Sequence, residues 1–169
     1  MKTLFLIFSL LFFCSANLSK ALANNLSIKQ EIERALDSGL NWLNLEQNKS
    51  SGQWGLEEYP ALTGLALRSF LGHPSQSSLQ KYKETVEKGL DFVRTKVQSD
   101  GGIYGKGLAS YNTSICMMAL MQAKLSEDRS IISSARKFLV NQQSDFDRKG
   151  TADNVFDGGV GYGSRWAHS

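Results

Sequence analysis

QNKSSGQWG, residues 47–55, places a Gln five residues before Gly-x-Trp at the end of a short polar stretch. The chain has only three Trp, so the largest apolar side chain closes a loop made of small polar residues. Fifty residues on, the surroundings of this stretch return. In SGLNWLNLEQNKSSGQWG (38–55) and KGLDFVRTKVQSDGGIYG (88–105), Gly39 aligns with Gly89, Leu40 with Leu90, Trp42 with Phe92 and Leu43 with Val93. Gly52-x-Trp54-Gly55 then aligns with Gly102-x-Tyr104-Gly105. A third copy, SARKFLVNQQ (134–143), sets Ala135, Phe138 and Leu139 on the same positions, with Gln143 in the Gln place. Its glycine-aromatic end is delayed to GGVGYG (158–163), with Tyr162 as the aromatic, by the insertion SDFDRKGTADNV. Self-similarity at a fixed period of this length marks a repeat architecture.

Each copy predicts an amphipathic helix. Ile28, Ile32, Ala35, Leu36, Gly39, Leu40 and Leu43 recur at three- and four-residue steps, as do Val86, Leu90, Val93 and Val97. A second helix follows each of the first two Gly-x-aromatic ends: ALTGLALRSFLG (61–72) and SYNTSICMMALMQA (110–123). These are apolar around most of their circumference. A striped helix faces water on one side, whereas an all-round apolar one is buried. Two layers are expected, striped helices outside and apolar helices inside. No segment alternates with period two, and Pro60 and Pro74 fall at helix borders, where they are tolerated. The fold class is all-α, with about two and a half repeats.

The pattern resembles the QW repeat of squalene-hopene and other terpene cyclases, whose relatives include the β subunits of protein prenyltransferases. That pattern is a basic residue, Gly or Ala, an aromatic, an aliphatic, Gln, then Gly-x-Trp. Gly39, Trp42, Leu43, Gln47, Gly52 and Trp54 match it, with Ser38 in place of the basic residue. The second copy has Lys88, Gly89, Phe92 and Val93, but Val97 stands at the Gln place, Gln98 one step late, and Gly102-x-Tyr104 ends it. The resemblance covers about residues 30–165 and implies an α/α toroid, here a partial one, of paired outer and inner helices. It implies that Gln47 bonds backbone groups at a helix end, where donors and carbonyls lack partners, and that Trp54 shields those bonds. It also implies handling of an elongated, isoprenoid-like ligand between inner helices.

The catalytic strings of that superfamily are missing. The nearest to Asp-x-Asp-Asp is Asp145-Phe146-Asp147-Arg148, where an Arg favours the ionised acid, the wrong direction for a proton donor. The metal-binding Asp-Asp-x-x-Asp is absent, and so is the Asp, Cys and His set that holds zinc. Cys116 lies in an apolar helix and reads as a buried, inert thiol. No catalytic residue and no metal ligand is assigned.

Candidate ligand contacts are Asn112 and Ser114 on the second inner helix, together with Asp145, Asp147, Asp153 and Asp157 in and after the insertion. Asp-x-Asp-x-x-Gly matches the start of a calcium loop. Lys149 and Phe156, however, occupy places where oxygen ligands are needed. A solvated loop, a substrate contact and a calcium site all stay open for the insertion. Asn112 and Ser114 either line a cavity or bond a neighbouring helix.

Residues 1–23 read as a signal peptide. A basic start at Lys2 precedes an apolar run, Leu4–Phe13, and Ala21–Ala23 forms a small-residue cleavage site. The run is too short to span a bilayer. Cleavage takes the basic count from 19 to 17 against 16 acids, so the repeat domain, 24–169, carries no excess of positive charge for a nucleic-acid partner. It retains Cys116 alone, which excludes an internal disulfide. Export to an extracytoplasmic compartment follows. A third inner helix is expected to begin near Arg165–Ser169, and an open stack of repeats needs capping, further repeats or self-association. Beside the isoprenoid-handling reading stand two others. One is a non-catalytic extracytoplasmic scaffold. The other is a polysaccharide-acting toroid using Asp145, Asp147 and Asp157.

Overall fold

The structure is a computed structural model that describes residues 26–74, 80–144, 155 and 157–163. The signal-peptide reading at 1–23, the insertion acids Asp145, Asp147 and Asp153, and the start of a third inner helix at 165–169 lie outside the described residues. None of the described helices is long and apolar enough to cross a membrane.

The described residues are all-α. Helix α1 spans 26–46, followed by α2 (Ala61–Leu71), α3 (Lys83–Thr95), α4 (Ala109–Ala123) and α5 (Arg129–Gln142), the last entered through a short 3-10 turn, Ser126–Asp128. Residues 1–41 and 42–169 form two compact units. Of the first, 26–41 are helical. In the second, α2 packs on α3 and on α4, and α4 packs on α5. The striped helices of the sequence are α1, α3 and α5, and the apolar ones are α2 and α4.

The core of the second unit forms where the apolar helices meet the striped ones: Leu67 and Phe70 of α2, Leu90 and Val93 of α3, Cys116, Ala119 and Leu120 of α4, and Ala135 and Phe138 of α5 are all buried. A methyl group on Gly64 would lie 3.0 Å from Ile115 Cγ2, so α2 and α4 approach closely along a small-residue seam. Phe70 carries the aromatic stacking, with ring centroids 5.8 Å from Trp54 and 5.2 Å from Tyr82.

One expectation changes. The apolar helices are not buried all round. Leu62 and Leu65 of α2, and Tyr111, Met118 and Met121 of α4, are exposed, because none of the described helices covers those faces. And Trp42, at the position of Phe92 (5% exposed) and Phe138 (4%), is itself 60% exposed. Phe138 meets Tyr104, in the turn before α4, with ring centroids 5.7 Å apart. No such turn before α1 is among the described residues, which leaves Trp42 without that partner in them.

Candidate functional site

The joints between helices are the most regular feature of the molecule. In joint 1, the Asn48 N–H donates to Gln53 O at 3.0 Å and the Gly52 N–H to Asn48 O at 2.8 Å. Gly52 has φ +82°, in the left-handed region that glycine enters without strain. Joint 2 repeats this with Gln98 donating to Gly102 O at 2.8 Å and Gly101, at φ +87°, donating to Gln98 O at 3.0 Å. Joint 3 has Ser144 donating to Gly159 O at 2.7 Å and Gly158, at φ +84°, donating to Ser144 O at 2.9 Å. An antiparallel bridge pairs Val97 with Ile103 in joint 2 and Gln143 with Val160 in joint 3.

This geometry corrects the sequence alignment by one residue. The turn glycines are Gly52, Gly101 and Gly158, not Gly102. The apolar residue that follows at the second place is Trp54, Ile103 and Val160, not Tyr104 or Tyr162. The Trp54 N–H donates to Thr63 Oγ1 at 3.0 Å, and the Ile103 N–H donates to Thr113 Oγ1 at 2.9 Å. One residue is lost in the loop and regained before the helix, so the helices align at fifty residues while the turns align at forty-nine. Tyr104 is instead a latch to α5: its ring lies on Phe138 and its hydroxyl donates to Asp100 Oδ2 at 2.7 Å. Burial, and then Asp100, push that hydroxyl up to about 12. Tyr162 lies at the start of α4, where its carbonyl accepts the Tyr111 N–H at 3.3 Å and its ring sits 6.1 Å from that of Tyr111.

Gln47 and Trp54 divide the work differently from expectation. The Trp54 indole Nε1–H donates to Leu43 O at 2.7 Å, in the last turn of α1, where carbonyls have no partner within the helix. The indole itself therefore satisfies the helix end. Gln47 Nε2 donates to Gly52 O at 2.9 Å and to Thr85 O, in α3, at 2.8 Å, tying joint 1 to the next striped helix. Both side chains are buried. Gln143 repeats the first of these bonds, to Gly158 O at 3.1 Å, but is exposed. In the second copy Val97 holds the Gln place, and Gln98 Nε2 bonds Tyr104 O at 2.7 Å.

A groove runs between each of the first two joints and the following striped helix, about 300 Å³ in both cases. In the first it is walled by Asn44, Gln47, Thr85, Glu84 and the lysines Lys49, Lys81 and Lys88. The buried Gln47 Oε1 has no hydrogen-bond partner there, so the groove sets a free acceptor among walls of both charges, lysines in excess. Lys88 is held by Glu84 at 2.9 Å. In the second groove Ser99, Ser130, Ser134 and Asp100 replace most of these, with Lys137 as the cation. An ion cluster centres on Arg94. Arg94 donates to Asp128 Oδ1 at 2.8 Å and Oδ2 at 3.0 Å, to Asp91 at 2.7 Å and to Glu127 at 3.3 Å. Asp128, foremost, holds the guanidinium even more firmly charged than usual.

Asn112 and Ser114 are committed to the framework. Asn112 is fully buried; its Oδ1 accepts the Ala61 N–H at 3.0 Å and its Nδ2 donates to Gly107 O at 3.2 Å. It thereby caps the first turn of α2 from within α4, a cross-helix form of the side-chain cap. Ser114 Oγ donates back to Ser110 O at 2.7 Å. The sequence holds this bonding role open beside a cavity-lining one; it does not name the partner of Asn112, which is 51 residues away. Asp157 is half-buried in joint 3. Cys116 is buried against α2, and burial pushes its thiol up to about 12, which keeps it protonated and poorly nucleophilic. Among the described residues no three His, Cys, Asp or Glu side chains group so as to hold a metal ion. No family model, no curated protein and no solved structure matches the chain.

Proposed function

We propose that this chain is a partial α/α-toroid module of the terpene-cyclase and prenyltransferase-β kind, exported after removal of residues 1–23, that serves as a non-catalytic binding scaffold. The observation that supports it best is the closed seam between α2 and α4. Gly64 meets Ile115 there, and the Asn112 side chain spends both of its polar groups on Ala61 and Gly107. An isoprenoid-handling enzyme needs an open slot between inner helices, and these two leave none between them. Stacked repeats of this sort offer surface rather than cavity.

A second reading rests on one further observation. Tyr111, Met118 and Met121 project from one side of α4 and are exposed. Methionine adapts to irregular apolar partners, so an elongated apolar ligand would lie along α4 rather than between helices. Incubation with squalene, or with farnesyl diphosphate and Mg²⁺, followed by mass spectrometry is expected to give no new product. A cyclised or transferred product would overturn the scaffold reading. A rise in Tm with dispersed squalene, without product, would favour the apolar-ligand reading, because a ligand that binds only the folded state stabilises it.

A further inference from the structure

The first two joints receive the striped helix of the following copy in one way. Joint 1 takes α3: Gln47 donates to Thr85 O, the Lys88 carbonyl lies against the turn at Gly52, and Trp54 packs on Gly89. Joint 2 takes α5, where the Ser134 carbonyl lies against the turn at Gly101. Joint 3 is built like the other two, yet Gln143, Gly158 and Val160 are exposed. Val160 is 54% exposed where Trp54 is 6% and Ile103 is 0%. Among the described residues, joint 3 is a joint without a helix seated on it.

Among the described residues, α1 is conversely a striped helix without a joint. By the fifty-residue alignment, Ala35, Ser38, Gly39 and Trp42 of α1 are the counterparts of Thr85, Lys88, Gly89 and Phe92. Ser38, Gly39 and Trp42 likewise correspond to Ser134, Ala135 and Phe138 of α5. Nothing lies within 4 Å of a methyl group built on Gly39, whereas one on Gly89 would strike Trp54 and Leu67. Ile32 and Leu36 are exposed on the same helix, whereas their counterparts Tyr82 and Val86 are buried.

We infer that a second copy of this chain fills the vacancy, α1 of one copy docking on joint 3 of the other. The internal interface, already made twice within each chain, would be made a third time between chains. Gln143 Nε2 would reach the Ala35 carbonyl of the second copy, the Ser38 carbonyl would lie against the turn at Gly158, and Gly39 would receive Val160. The contact concerns one striped helix and one joint; an apolar helix following joint 3 is not among the described residues. The two faces differ, so the association is head to tail. It either closes a ring or extends a filament.

Sedimentation velocity on the full chain from about 1 μM to about 1 mM, the range of ordinary specific association, tests this. The weight-average mass is expected to rise with concentration. Gly39→Leu, at a position where nothing lies within 4 Å of an added methyl group, should block one face, and Val160→Arg the other. Each variant alone should stay monomeric with unchanged far-UV circular dichroism. An equimolar mixture should form a heterodimer, because the intact α1 of V160R still meets the intact joint of G39L. Should G39L lose its helical signal, Trp42→Glu at an exposed position replaces it. A wild-type monomer throughout the range overturns the inference. So does undiminished assembly of either variant, or a mixture that stays monomeric.

Discussion

The indole of Trp54 closes on the bare α-carbon of Gly89: a methyl group there would lie 2.9 Å from Trp54 Cζ3 and 2.8 Å from Leu67 Cδ2. In the next copy the corresponding residues are Ile103 and Ala135, both fully buried. The larger joint residue faces the smaller helix residue, so the two repeats keep similar combined bulk at the same place. Close-packed interiors feel a change of even one methylene.

Gly89→Ala is therefore expected to destabilise the fold. Overpacking costs about 1–3 kcal/mol, and the better helix propensity of Ala returns about 1 kcal/mol. A net loss of about 1 kcal/mol should appear in urea unfolding. The same change in a Trp54→Ile background should cost less, because it reproduces the Ile–Ala pair of the next copy. A double-mutant cycle measures that difference directly, and equal costs in both backgrounds would show that Trp54 and Gly89 are not coupled.

Gln47 and Gln143 occupy the same repeat position with opposite burial, which gives a controlled comparison. Gln47→Ala removes two buried hydrogen bonds and leaves Gly52 O without its side-chain donor, a loss of about 1–3 kcal/mol. Gln143→Ala removes one exposed bond to Gly158 O and should stay within about 0.5 kcal/mol, as surface changes do. Thermal unfolding of the two variants at a concentration that keeps the chain monomeric distinguishes them. Equal effects would deny the special role of the bond to Thr85.

Much of this architecture is legible in the residues. The three-and-four spacing of Leu40, Leu43, Leu90 and Val93 marks the striped helices, and the apolar runs at 61–72 and 110–123 mark α2 and α4. The register of the joints is not legible, because side-chain type misleads there. Tyr104 is the aromatic that looks like Trp54, but the chain buries Ile103 and turns Tyr104 outward onto Phe138. Only backbone hydrogen bonds and the sign of φ at Gly101 fix that shift. Asn112 leaves two readings open in the sequence, a cap on a neighbour and a cavity lining, and the structure takes the first. The partner of Asn112, the Ala61 N–H, is 51 residues away, and a polar residue on an apolar helix looks the same whether it lines a cavity or caps a neighbour.

That cap carries its own expectation. Asn112→Ala leaves the buried Ala61 N–H without its partner, at a cost of about 1–3 kcal/mol, whereas exposed Gly107 can turn its carbonyl to water. Asn112→Asp keeps an acceptor for Ala61 but turns an anion toward Gly107 O, so it should recover part of the loss at low pH and less at neutral pH. Equal stability of the Ala and Asp variants across that range would argue against the cross-helix cap.

The alkaline limb of stability should report Cys116. Its thiol is pushed up to about 12 by burial, from an ordinary value of 9.0. The folded state therefore holds its proton at pH values where the unfolded chain has released it. The group's contribution is fully present below about pH 9 and is lost as pH rises through about 12. In that window the unfolded state binds fewer protons, so stability falls with pH, by up to about 1.4 kcal/mol per unit for one group. Tyr104, raised to about 12 from 10.0 by burial and by Asp100, adds a loss of the same sign starting higher. Cys116→Ala should flatten the slope between about pH 9 and 10, where the thiol acts without the phenol. An unchanged slope in that interval, measured as urea midpoint against pH, would show that the thiol is not buried against Gly64 as found here.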